Sequence, residues 1–247
     1  MCPFSEGQVM QKVIVKELGQ IPYQKAWDYQ HQLLKEVVDI KRHNRKLSCK
    51  DSAYIPPKHY LLFCEHPPVY TLGTSGSSDN LLIDEARLKA AGIEFFKVNR
   101  GGDITYHGPG QIVGYPIFDL DEFFTDVHKY MRSLEEIIIR TLAEYDLEAM
   151  RIKEFTGVWL PQTEALPKRK ICAIGVHLSR WVTMHGFAFN VNTDLNYFRH
   201  IIPCGIQAAD KDVTSLAKEL GHAIEIREVK KKLKYHFADL FGFDYES

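Results

Sequence analysis

Few residues in this chain have the means for covalent chemistry, and one of them is set apart by its neighbours. Cys204 stands in Ile202-Pro203-Cys204-Gly205, where a proline and a glycine put it on a turn and leave its thiol open to another molecule. A thiol of ordinary pKa, about 8.5, is only ~3% thiolate at neutral pH. A nucleophilic cysteine therefore needs a cation or a base beside it. Lys170, His107, His177, His185 and His200 are the candidates, and spacing alone does not choose among them. The remaining cysteines carry weaker signals. Cys64 and Cys172 fall within apolar strand patterns and read as small buried side chains, while Cys2 and Cys49 sit in segments that suggest no role. Five cysteines, an odd number with no CxxC pair, point to free thiols in a reducing cytoplasm rather than to disulfides or a zinc knuckle.

A second concentration of chemistry is RGGDITYHGPGQIVGYPIFDL, residues 100–120, whose first fifteen residues hold five glycines and a proline. Glycines at 101, 102, 108 and 110 can take positive φ or admit a close backbone approach. Such a loop presents N–H groups that can hold a carbonyl, carboxylate or phosphate. It is not a phosphate loop, because GxxxxGK[ST] is absent and the glycine spacing does not match a dinucleotide fingerprint. A structural turn requires the glycines but not Arg100, Tyr106 and His107 among them, and that surplus argues for a site.

These residues must be placed by the elements around them. Gln11 to Leu18 alternates as a strand. A helix from Tyr23 to about Arg42 carries Trp27, Leu34 and Val38 on one stripe, with Pro22 positioned to start it. Residues 41–58 read as a polar surface connection ending in two prolines. Short strands are expected at Tyr60 to Cys64, Val69 to Leu72 and Ile93 to Val98, with a short helix at Asp84 to Ala91 and a further strand at Ile112 to Leu120. Val127, Met131, Leu134, Ile138, Leu142 and Tyr145 form the apolar face of a long helix. Strands broken near QTEALPKRK and SRWVT suggest hairpins between Glu148 and Asn192, and helical patterns at 213–220 and 226–241 follow. The pattern is α+β, a mixed β-sheet flanked by helices. The expectation is one catalytic domain over 1–247, with a core of about 12–220 and a helical tail of about 222–247. With 45% hydrophobic residues and a net charge of -1, bulk binding to nucleic acid or anionic membrane is not expected. No basic segment followed by an apolar run begins the chain, and no window approaches a membrane span.

Taken together, the glycine run, EHPPVYTLG (65–73), KICAIGV (170–176), HGFAFNV (185–191) and IIPCGI (201–206) resemble the lipoyl(octanoyl) transferases, from about residue 12 to 220 and in that family's order. The resemblance implies the fold of the biotin and lipoate protein ligase catalytic domain. It also implies an acyltransferase of lipoate biosynthesis, in which Cys204 carries an acyl-thioester and Lys170 tunes it. The acyl pocket would be lined by Arg100, Gly101, Gly102, Asp103, Ile104, Thr105, Tyr106 and His107, by Ala173, Ile174 and Gly175, and by Gly186, Phe187 and Ala188. His107, with His66 as a supporting residue, would shape and polarise the pocket mouth. The donor implied is octanoyl-acyl carrier protein. The acceptors implied are lipoyl domains of 2-oxoacid dehydrogenase E2 subunits and the glycine cleavage H protein. No cofactor or metal is implied, because a thioester is already activated. A ligase of the same fold would instead make an acyl-adenylate from ATP, a cysteine hydrolase would release free acid, and a binding module would do no chemistry. Lys168, Arg169 and Arg180 are the expected basic contacts for acidic protein substrates. The 41–58 connection and the tail lie outside the minimal pattern.

Overall fold

A computed structural model describes residues 10–203, 206 and 211–246. The chain opens with β1 (Gln11–Gln20), α1 (Tyr23–Asn44), β2 (His59–Glu65) and β3 (Val69–Leu72). It continues through α2 (Glu85–Ala90), β4 (Glu94–Lys97), β5 (Ile104–His107), β6 (Gln111–Ile117) and α3 (Val127–Ala143). Next come β7 (Met150–Ile152), β8 (Phe155–Leu160), β9 (Lys168–Ser179) and β10 (Val182–Asn190). The last elements are β11 (Lys211–Val213), α4 (Leu216–Leu220), α5 (Ile226–Phe241) and β12 (Phe243–Tyr245).

The large sheet runs β12-β1-β2-β6-β10-β9-β8-β7, with β11 added parallel to the start of β9. β3 sits at the centre of a small sheet, parallel to β4 and antiparallel to β5. Both parallel and antiparallel pairs occur in the large sheet, which is the mixed α+β arrangement expected. Among the described residues no helix is long and apolar enough to cross a membrane.

Two apolar layers cover the large sheet. On one face, α3 and α5 pack Leu134, Ile138, Leu233 and Phe237 against Phe63, Ile112, Phe187 and Phe189. On the other, α1 lays Ala26, Leu33 and Val37 over Leu62, Val113, Met184 and Ala188. The buried stripe of α1 is Tyr23, Ala26, Gln30, Leu33, Val37 and Val38, so Val38 lies on it as expected while Trp27 and Leu34 flank it. Val127, placed above on the buried face of α3, is exposed at 37% because it sits on the first turn.

Several expectations change here. The glycine run does not pass straight to the strand at 112: Ile104–His107 forms β5 and pairs with β3, from Val69↔His107 to Leu72↔Ile104. The segment beyond 222 is not a tail. Val229, Leu233, Phe237 and Phe241 of α5 belong to the main core, and β12 extends the sheet beside β1. The SRWVT break is a two-residue hairpin whose corner, Arg180 and Trp181, takes φ of 53° and 65° without a glycine. Residues 45–58 do form a surface connection, fastened to the end of α1 by the side chain of Asn44, which bonds both the N–H and the carbonyl of Ile55.

One irregularity bears on everything below. Leu160 pairs with Arg169 and Trp159 with Lys170, but Val158 pairs with Cys172. Ile171 is thus an extra residue, a β-bulge in β9. Alternation along a regular strand sends residues an odd number apart to opposite faces, so Lys170 and Ala173 would face apart. The bulge removes one step. Ile171 and Cys172 both enter the α3–α5 core, and Lys170 and Ala173 both line the cavity on the other face.

Candidate active site

A cavity of about 250 Å³ lies between the small sheet and the α1 face of the large one. Arg100 to Thr105 and His107 line one side. Ala173, Ile174 and Gly175 of β9, with Gly186, Phe187 and Ala188 of β10, line another. Lys170 and Pro203 share the same cavity. Cys204, the expected nucleophile, lies outside the described residues; Pro203 is its neighbour in the chain.

The glycine run is held by its own backbone. The Gly101 N–H donates to the Val176 carbonyl at 2.9 Å, and a Cβ at Gly175 would stand 2.6 Å from the Gly101 carbonyl oxygen. Gly175 is therefore the residue that lets the loop touch β9. At Gly101 an added Cβ would meet only one atom, at 3.7 Å, so there the backbone is open toward a ligand. Gly102 turns the chain at a φ of 86°.

Arg100 is 8% exposed. Its guanidinium donates to the Thr71 carbonyl at 2.7 Å, to Thr71 Oγ1 at 2.9 Å and to the Gly101 carbonyl at 3.0 Å. Thr71 Oγ1 in turn lies 3.2 Å from His107 Nε2, and His107 Nδ1 lies 2.9 Å from Gln111 Oε1. Gln111 Nε2 donates to the Tyr106 carbonyl and to Asn190 Oδ1. The chain of donors fixes one tautomer: an imidazole with its proton on Nδ1, accepting from Thr71 at Nε2.

The three histidines around this arginine are neutral. Burial, beside His66 and the Arg100 guanidinium, holds His107 well below its ordinary value. Burial also lowers His66 to about 4 and His185 to about 3, the latter with Arg100 second. None can be the cation that a thiolate needs, and neither His177 nor His200 lines the cavity. Lys170 does. It is buried at 7% exposure, with its ammonium 4.6 Å from the centre of the Trp159 ring. It is not the surface residue that a strand start would suggest.

One expected lining residue faces elsewhere, and the residue expected at the mouth lies behind the wall. Tyr106 turns from the cavity and stacks on Tyr197, ring centres 4.6 Å apart, bracing the turn that leads toward Cys204. His66 stands behind the wall, Nδ1 on the Ile21 carbonyl and Nε2 on the Tyr115 hydroxyl, each at 2.8 Å. The mouth role expected of it is therefore a supporting one. Cys64 and Cys172 are fully buried, and burial pushes both thiols up, so neither is reactive.

Arg169 also departs from expectation. It is 5% exposed, paired with Glu219 through Nε at 2.8 Å and a second nitrogen at 3.1 Å, and bonded to the carbonyls of Pro161 and Pro167. It fastens α4 to the strand and has no docking surface to offer. Arg180 lies at the far end of β9 from Lys168, so the three residues form no common patch.

Tyr23, Thr71, Gln111, Tyr115 and Asn190 complete the site and were not singled out from the sequence. Gln111 and Tyr115 lie in the glycine run itself, so buried polar residues among apolar strand neighbours were the available signal. His185 holds a further clue: it takes a φ of 60° inside β10, its N–H bound to Gln30 Oε1 and its Nε2 to Asn99 Oδ1, both at 2.9 Å. Strain of this kind in a non-glycine residue clusters at functional sites.

Comparison with known proteins agrees with this architecture. An octanoyltransferase of Christiangramia forsetii is 58% identical over 231 residues, covering 93% of this chain and 96% of that protein. One from Cytophaga hutchinsonii is 53% identical, covering 95% of each. The fold matches a bi-partite lipoate protein ligase of Thermoplasma acidophilum with a TM-score of 0.66 at 17% identity, over 96% of this chain and 86% of that one. Residues 22–238 match the lipoyl protein ligase A/B catalytic domain, and the chain belongs to that family.

Proposed function

We propose that the protein transfers the octanoyl group of octanoyl-acyl carrier protein to a lysine of lipoyl domains, the octanoyltransferase step of lipoate biosynthesis. The observation that carries this reading is a buried lysine and the residue preceding Cys204 in one apolar-walled cavity, Lys170 and Pro203. Near-full-length similarity to octanoyltransferases adds to it. Lipoyl domains of 2-oxoacid dehydrogenase E2 subunits and the glycine cleavage H protein are the proposed acceptors.

In the first step the Cys204 thiolate attacks the thioester carbonyl of the donor. A C–S bond forms, the bond to the pantetheine sulfur breaks, and that sulfur leaves as a thiol with a proton from Lys170. In the second, the acceptor lysine amine attacks the acyl-enzyme, loses its proton to Lys170, and Cys204 departs as thiolate, leaving an amide. The Gly101 N–H is held by the Val176 carbonyl, so what this glycine offers the acyl group is space beside its Cα rather than an oxyanion donor. Two steps through one sulfur give ping-pong kinetics.

Intact-mass analysis after incubation with octanoyl-carrier protein tests this. The wild-type chain gains one octanoyl group and passes it to a lipoyl domain without ATP, while Cys204→Ala gains none. Mass gain in the mutant on the same time course removes Cys204 from the reaction. Transfer that requires ATP and free acid points instead to a ligase.

A further inference from the structure

We infer that Trp159 is the positioning residue for Lys170, holding its ammonium in the cavity through the face of the indole. The inference rests on the reading of Lys170 as the residue that activates Cys204.

The two side chains are brought together by register. Trp159 and Lys170 are direct partners across β8 and β9, next to the bulge at Ile171. Side chains directly opposite in an antiparallel pair share one face and touch. The ammonium lies 4.6 Å from the ring centre, inside the distance at which a cation is drawn to the negative face of an aromatic ring. Trp159 is fully buried and cannot swing away: its Nε1 donates to the Phe155 carbonyl at 3.2 Å.

The bulge is itself supported. Gly157, next to Val158 on the facing strand, takes a φ of 123°, and a Cβ there would stand 2.5 Å from the Cys172 carbonyl oxygen. The Gly157 N–H donates to Glu135 Oε1 at 3.0 Å, and Glu135 is fully buried on α3. The helix, the glycine and the bulge together set the height at which Lys170 meets the indole.

An aromatic face suits the task. A carboxylate at the position of the indole would hold the ammonium more tightly, but it would cancel the positive field that favours a thiolate. It would also oppose loss of the proton. The indole draws the cation to its face and adds no negative charge of its own.

The test is a double-mutant cycle read by the single-turnover rate of Cys204 acylation, followed by intact mass with octanoyl-carrier protein. Trp159→Leu and Trp159→Phe are each made with Lys170 present and in a Lys170→Ala chain. Cation–π contacts span effects of roughly 2- to 30-fold. Trp159→Leu is expected to slow acylation within that range, and Trp159→Phe, which keeps a ring, to restore most of the rate. In the Lys170→Ala chain neither substitution is expected to slow it further. Equal losses with and without Lys170 overturn the inference and leave Trp159 as packing alone. If Lys170→Ala acylates at the wild-type rate, the reading of Lys170 falls and the inference with it. Should Trp159→Leu fail to fold, Trp159→Phe carries the same cycle, and an equal loss on both backgrounds again overturns it.

Discussion

Lys170 sits where a strand would ordinarily point it away from Ala173, and its chemistry follows from that placement. A cation beside a thiol favours thiolate, and lowering a cysteine pKa by about two units raises its charged fraction at neutral pH from a few per cent to roughly three quarters. Lys170→Arg keeps the charge but cannot release a proton. It is expected to keep alkylation of Cys204 by iodoacetamide at neutral pH and to transfer octanoyl poorly, whereas Lys170→Ala loses both. Peptide mapping of the alkylation rate against pH in the three proteins checks this, and identical profiles would separate Lys170 from the nucleophile. The histidines make the complementary case. His107, His66 and His185 are neutral and hydrogen-bonded, so they hold Arg100 and the cavity wall in place.

At the scale of elements, β9 carries the site and is clamped at both sides. Arg169 pairs with Glu219 on α4 while its neighbour Lys170 faces the cavity. Removing one partner of a buried pair leaves the other charged and unpaired, which typically costs 3–5 kcal/mol. Arg169→Glu is therefore expected to lower Tm sharply and to reduce reaction with a small octanoyl thioester as much as with carrier protein. A raised KM confined to protein substrates would instead return Arg169 to a docking surface. Glu135 provides a second clamp through the Gly157 N–H, with Arg132 at 3.0 Å and Arg151 at 3.1 Å on its other oxygen. Glu135→Gln keeps an acceptor for Gly157 and is expected to fold with a reduced Tm. Glu135→Ala, which leaves that N–H buried and unpaired, is expected to lose about 1–3 kcal/mol more. Thermal melts of the two variants decide the order.

For the whole molecule, the buried histidines link stability to pH. His59 is lowered to about 4 by burial alone, and His66 and His185 to about 4 and 3; His107 lies well below its ordinary value. With folded values below the unfolded one, the unfolded chain binds more protons as pH falls. The neutral forms thus contribute full stability above the unfolded value of 6.5, and that contribution declines as pH drops toward the folded values. The slope is about 1.4 kcal/mol per pH unit for each histidine. Asp119, Glu122 and Glu135, whose carboxyls burial pushes up, act in the opposite sense and make the decline shallower. Tm is expected to fall from pH 6.5 toward pH 5, and His59→Gln to flatten that fall. A Tm unchanged over that interval would mean that these imidazoles are not kept neutral by folding.

Local pattern carried much of this protein. The period of apolar residues marked α1, α3 and α5, short apolar runs marked β2, β3 and β6, and the family resemblance carried by the glycine run and the K…PCGI pair implied an acyltransferase. Periodicity, however, measures only a residue's relation to its near neighbours. It did not show that Ile104–His107 pairs with β3, because four residues among glycines hold too little pattern to declare a strand. Nor did it show that α5 closes the core, that Arg169 is buried against Glu219, or that Tyr106 and His66 turn from the cavity. The bulge at Ile171 is the clearest case. Sequence alternation puts Lys170 and Ala173 on opposite faces, and only the register of β8 against β9, with Glu135 and Gly157 behind it, puts them on one. The residue types that could do chemistry were determined by the sequence; which of them face one another was decided by long-range pairing of strands.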